Sequence, residues 1–364
     1  MKPTIRKKSY RPPVFGSAMK TWIWSAALAS CMRLCYNMCD FKDVPGQEEI
    51  KRQLEMSVRR NHLSHSYLLL GEKGVGKLTM ARAFAKRLLC TGEGPRPCGR
   101  CHSCIQIAAD THPDVVTIQR DKTALGVDAV REQLAQEIRI RPFSGKRRIF
   151  IVPEAEKMTQ QAQNAILKTI EEPPDYAMIL LLAEQEEALL PTIRSRVLRL
   201  VFRPVSETEI LKRLRAAGAP PERAEEAARF SRGIYRRAEE LVQVEEVYSR
   251  YRKTLELLRE LPGCDETVFQ RTEAEVATLY ADPAVFLEFL RLYYRDVLCC
   301  KSGGNSAALI FPGEEQTLIR AAKALSYEQL GAILKEIETA EERLRLNVSK
   351  ELTIELVLLA IRRE

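Results

Sequence analysis

No stretch of the 364-residue chain reaches the roughly 20 consecutive apolar residues that a membrane-spanning helix needs, which excludes that class. Internal repeats and low-complexity tracts are also absent, so repeat arrays and bulk disorder fall away. Most of the chain has little net charge. Of the formal +8, +6 lies in the first forty residues, and the remainder carries only +2. That balance, with no recognisable groove-reading element, argues against a stand-alone zinc DNA-binding protein. The ten cysteines do not form a disulfide framework, because only Cys90, Cys98, Cys101 and Cys104 are clustered with ligand spacing.

What is present begins with an N-terminal extension, residues 1–40. Its segment from Met19 to Cys31 imitates a secretory apolar region, and Leu28-Ala-Ser-Cys31 imitates a lipoprotein cleavage box. The expectation is instead an upstream extension of the reading frame. Met19, Met32 and Met38 offer later starts, and domain-like sequence begins at Phe41.

From 41 to 203, short apolar runs alternate with helical patterns, which predicts an α/β domain with a parallel sheet covered on both faces. Strands are expected over 67–70, 115–119, 148–152, 178–183 and 197–202. Helices are expected over 47–60, 77–90, 127–139 and 159–172. After Pro204 the strands stop. Ser206 with Glu209 forms a capping box for a helix over 207–216, and two more helices follow over 222–230 and 236–242. This predicts a small helical lid, 204–243, and an all-α domain, 244–364, with polar breaks at 261–265 and 303–306. Its amphipathic stretch 327–346 precedes a final apolar helix over 351–361.

Gly71-Glu-Lys-Gly-Val-Gly-Lys77 stands between an expected strand and an expected helix, the setting of a Walker A phosphate loop. Gly71, Gly74 and Gly76 let backbone N–H groups wrap a phosphate, and Lys77 adds charge at the helix N-terminus. The next residue should be Ser or Thr for Mg²⁺, but it is Leu78, with Thr79 one position late. In Arg148-Ile-Phe-Ile-Val-Pro-Glu154 the expected metal-anchoring Asp is Pro153, while Glu154 could still polarise water. The Mg²⁺ site is therefore expected to be lost and the chain's own ATPase weak or absent. Binding of ATP or ADP stays open.

Four cysteines within fifteen residues, among turn-forming Gly and Pro, suit a structural Zn²⁺ at 90–104 in a reducing compartment. His102 replacing one sulfur and an iron–sulfur cluster are the alternatives.

The phosphate loop followed at once by the cysteine insertion, then Pro153-Glu154 and Asn164-Ala-Ile-Leu-Lys-Thr-Ile-Glu-Glu-Pro-Pro174, resembles the AAA+ clamp-loader family of bacterial DNA polymerase III. Val44-Pro-Gly-Gln47, His65-Ser-Tyr-Leu68 and Leu190-Pro-Thr-Ile-Arg-Ser-Arg196 carry the same resemblance. It implies a cytoplasmic hetero-oligomeric ring with gamma/tau and delta subunits, a sliding clamp and primer-template DNA as partners. Leu78 and Pro153 mark the non-motor member of that ring over an autonomous gamma/tau-like ATPase. The resemblance also implies that Arg196 acts as an arginine finger in a neighbour's site, against the bland reading of a solvated arginine. Arg236 falls where the family's second sensor arginine lies, and the C-terminal helices would pack against siblings as a collar. Glu171 and Glu172 read as a solvated helix-terminal pair, since adjacent helical residues face different directions.

Overall fold

A computed structural model describes residues 40–118, 134, 136–304, 308–346 and 348–362. The N-terminal expectations up to residue 39, including Cys31, Cys35 and Cys39, lie outside these residues. So does most of the helix expected over 127–139, whose described end is a 3₁₀ turn, Glu137–Arg139.

Among the described residues the first half is built on a five-stranded, wholly parallel sheet. In chain order its elements are α1 (Glu48–Arg59), β1 (Ser66–Leu70), α2 (Lys77–Leu89), α3 (His102–Ala108), β2 (Val115–Thr117), β3 (Arg148–Val152), α4 (Gln160–Glu171), β4 (Ala177–Ala183), α5 (Pro191–Arg194) and β5 (Leu198–Val201). The spatial order is β2-β3-β4-β1-β5. The central strand β1 pairs with β4 on one side, Ser66 to Ile179, and with β5 on the other, Tyr67 to Leu198. Strands β1, β3 and β4 are buried along their whole length, as expected where both faces are covered. Alternate side chains feed two separate cores. Tyr67, Leu69, Ile149 and Leu180 meet α1 and α2, whereas Leu68, Phe150, Ile179 and Leu181 meet α4.

The edge strand β5 differs from the expected covering. Leu198 and Val201 are exposed and only Leu200 points into a core, because the outer side of β5 has no described neighbour in the sheet.

Beyond Pro204 the described chain is helical: α6 (Glu207–Ala216), α7 (Pro221–Phe230), α8 (Tyr235–Gln243), α9 (Glu245–Glu260), α10 (Glu266–Leu279), α11 (Pro283–Lys301), α12 (Glu315–Ala324), α13 (Tyr327–Arg345) and α14 (Lys350–Arg362). Ser206 caps α6 at the Glu209 N–H, and Ser326 with Gln329 forms a full capping box on α13. All nine helices share one continuous apolar core. Phe230 at the end of α7 contacts Tyr251 of α9, Phe289 of α11 and Phe311, with ring centroids 5.2, 5.6 and 6.0 Å apart. The α6–α8 segment is thus joined to the later helices by aromatic packing. Among the described residues no helix is long and apolar enough to cross a membrane.

Candidate functional site: a phosphate loop and a four-cysteine module

The strand–loop–helix context fixes the first site. Strand β1 ends at Leu70, and Gly71 turns away so closely beneath Phe202 that a Cβ there would lie 2.9 Å from the Phe202 Cβ. Gly74 (φ 87°) and Gly76 (φ 104°) adopt the left-handed backbone that side chains disfavour. Gly76 is the N-cap of α2 and supplies no side-chain cap, so the first N–H groups of that helix are directed at the loop.

Lys77 Nζ donates to the Gly71 carbonyl and, at 3.1 Å, to that of Glu72. Burial lowers its pKa, while the carboxylates of Glu184, Glu156, Glu72 and Glu154 oppose that shift. Glu154 was the residue legible in the sequence, but Glu184 and Glu156 are its stronger electrostatic neighbours. Glu184 follows the last residue of β4 and Glu156 lies four residues beyond β3. A parallel sheet gathers the ends of its strands at one rim, and Glu184 could have been found from that rule.

The two substituted positions have other employment. Leu78 packs against the apolar cluster that includes Met80 and Phe84. Pro153 follows β3 directly, and Glu154 behind it takes a left-handed backbone (φ 49°) and pairs with Lys157 at 3.0 Å.

Residues at the start of α8 lean on the loop. A Cβ built on Gly74 would meet Ile234 Cγ2 at 2.9 Å and Arg236 Cβ at 3.7 Å. Arg236 is therefore brought beside the phosphate loop, with its Nε on Glu240 at 2.8 Å, one turn along α8. Gln47 explains the Val44-Pro-Gly-Gln47 motif. Its side-chain amide bonds the Arg203 carbonyl at 2.6 Å and accepts from the Arg203 N–H at 3.2 Å, tying the start of α1 to the end of the sheet domain.

Arg196 lies elsewhere, just past α5. Its Nε contacts Glu171 at 3.0 Å, and its Nη1 donates to the Thr192 carbonyl and to Ser195 Oγ, each at 3.1 Å. The side chain is 41% exposed. These partners sit on or beside α4 and α5, away from the phosphate loop. Glu171 is consequently the holder of Arg196, a role that its neighbour Glu172 and the helix-end reading did not reveal.

The second site lies between α2 and α3. The sulfurs of Cys90, Cys98, Cys101 and Cys104 all lie within 4.8 Å of one another, and those of Cys90 and Cys101 are 3.9 Å apart. Tetrahedral zinc with 2.3 Å bonds places sulfurs about 3.8 Å apart. Backbone N–H groups point at sulfur, from Cys98 to Cys90 and from Cys101 to Cys98 at 3.3 Å, and from Cys104 to Cys101 at 3.5 Å. Burial raises the Cys101 thiol, but the Cys104 N–H and Thr91 outweigh it and bring it down to about 5. Burial pushes Cys104 up to about 12. His102 is exposed at the start of α3, and the convergent ligand set is the four sulfurs.

Comparison with known proteins points to subunits of DNA polymerase III. A family model described as "DNA polymerase III, delta subunit" matches residues 46–206. The DNA polymerase III subunit delta-prime of Bacillus subtilis is 28% identical over 309 residues, covering 83% of this chain and 92% of that one. The chain is homologous to that delta-prime subunit. A match of 309 residues cannot fit within the sheet domain, so the delta-prime similarity continues into the helical part. The tau/gamma subunit of Haemophilus influenzae is 36% identical over 175 residues, 48% of this chain and 25% of that protein. A solved gamma-subunit-related protein of Thermotoga maritima covers 85% of this chain and 98% of its own at 21% identity, with a TM-score of 0.47.

Proposed function

We propose that this protein is the non-motor, delta-prime-like subunit of a replicative clamp loader. It joins gamma/tau and delta subunits in a ring that places the sliding clamp on primer-template DNA in the cytoplasm. One observation carries the reading: the phosphate loop is built, while both positions that would anchor Mg²⁺ are apolar and one of them, Leu78, serves the core. Homology to delta-prime over most of both chains supports the same role.

In this reading the sheet domain (41–203), lid (204–243) and collar (244–364) act as scaffold, and Gly71, Gly74, Gly76 and Lys77 retain at most nucleotide binding, with Arg236 beside them. Arg196 works in the neighbour's site. A guanidinium presented on the surface and held by Glu171 is placed to meet charge developing on a γ-phosphate supplied by another subunit. The four-cysteine module holds a structural Zn²⁺: four thiolates close the coordination shell and leave no open position for chemistry.

The test is paired. The isolated chain should hydrolyse ATP no faster than background with Mg²⁺, and should co-purify with gamma/tau and delta as one complex with DNA-stimulated turnover. Motor-like turnover by the isolated chain would establish an autonomous gamma/tau-like ATPase instead.

A further inference from the structure

A cavity of about 420 Å³ opens between the lid helices and α11, remote in sequence from the phosphate loop. Its walls carry four guanidinium groups, those of Arg229, Arg232, Arg291 and Arg295, and one carboxylate, Glu207. The buried side chains of Leu292, Leu309 and Ile310 form its apolar lining.

The compensation of these charges is incomplete. Arg229 pairs with Glu207 at 3.3 Å and donates to the Leu309 carbonyl at 3.4 Å. Arg291 pairs with Glu341 at 3.5 Å. Arg295 meets Asp296 at 2.7 Å and the Ala308 carbonyl at 2.8 Å. The fully buried Asp296 already accepts from the Ile310 and Phe311 N–H groups at 2.6 and 3.0 Å, so its charge is divided among three donors. Among the described residues no carboxylate lies within 4.0 Å of the exposed Arg232. Four guanidiniums around one concavity face three carboxylate partners, which leaves a surplus of positive charge that an anion would offset, and the guanidinium fork matches phosphate.

We propose that this cavity is a second anion site, specific for a nucleotide-sized polyphosphate and separate from the phosphate loop. Its size falls in the range of about 300–1,000 Å³ typical of small-ligand pockets. A concave pocket with an apolar lining fits a compact ligand, whereas duplex DNA asks for an extended basic stripe. A polyphosphate here would bridge Arg229 and Arg232 at the end of α7 to Arg291 and Arg295 on α11.

The experiment is calorimetric titration of the full chain carrying Lys77→Ala, which removes the phosphate-loop lysine, with ATP and with inorganic tripolyphosphate, both without Mg²⁺. One equivalent of ligand should still bind, more weakly as salt is raised. Arg232→Gln on that background should weaken binding about tenfold, and Arg232→Gln with Arg291→Gln about a hundredfold. Arg232 is exposed and outside a helix, so the single variant tests the site even where the double variant fails to fold. Tighter binding of ATP than of tripolyphosphate would assign a nucleoside to the apolar lining; equal binding would assign recognition to phosphate alone, and either supports the site. No binding after Lys77→Ala, indifference to the arginine substitutions, or binding of a short DNA duplex but neither small ligand would overturn it.

Discussion

Arg196 and Lys77 are held in different ways. Lys77 is turned onto the carbonyls of its own loop, while Arg196 stands half-exposed on Glu171. If Arg196 serves a neighbour, Arg196→Ala should lower DNA-stimulated ATPase of the assembled complex by about tenfold or more without loss of assembly. Arg196→Lys should rescue poorly, because an ammonium cannot reproduce the planar fork. Turnover measured on the purified complex decides both. Asp114 is the clearest acid-sensitive group. Burial would raise its pKa, but N–H groups of Phe143, Ser144 and Gly145 and the Ser144 hydroxyl, at 2.6 to 2.9 Å, lower it overall. A depressed carboxylate stabilises the fold above its unfolded pKa of about 3.9 and loses that contribution as pH falls through the folded value. Asp114→Asn should therefore cost about 1–3 kcal/mol at neutral pH and flatten the acid limb of stability. Denaturant titrations of both proteins at several pH values below about 5 would measure this.

At the scale of elements, the cysteine module joins α2 to α3. Metal analysis should give one zinc per chain, and Cys104→Ser should abolish it and lower the melting temperature by about 2–4 °C for each kcal/mol lost. A coloured cluster would replace zinc by iron–sulfur chemistry. The loop-to-lid contact is equally local. Gly74→Ala meets Ile234 and an unfavourable φ of 87°, so it should destabilise by about 1–2 kcal/mol or more. Adding Ile234→Ala should relieve the contact and leave the backbone strain, a difference that thermal melting of the two variants would expose.

For the whole molecule, the shared aromatic core is decisive. Phe311 is fully buried among Phe230 of the lid and Tyr251, Phe289 and Tyr293 of the later helices. Phe311→Ala should cost about 3–5 kcal/mol and loosen both groups of helices together. Hydrogen exchange checks this: amides of α7, α9 and α11 should lose protection in parallel, and independent loss in α7 alone would argue that the lid is a separate folding unit.

Local pattern alone determined much of this protein. Apolar runs bounded by breakers placed β3 over Arg148–Val152, and a Ser cap with a following Gly placed α6 over Glu207–Ala216, because caps and turns act within a few residues. The glycines and lysine of the loop and the four cysteines were legible for the same reason: their chemistry depends on spacing along the chain. Tertiary structure decided what long-range contact governs. It set Glu184 and Glu156 near Lys77, paired Glu171 with Arg196, left β5 exposed at the sheet edge, joined α7 to the later helices through Phe230, and gathered four arginines, on or just after α7 and on α11, around one cavity. Such partners are separated by tens of residues, and only the packing of whole elements brings their side chains together.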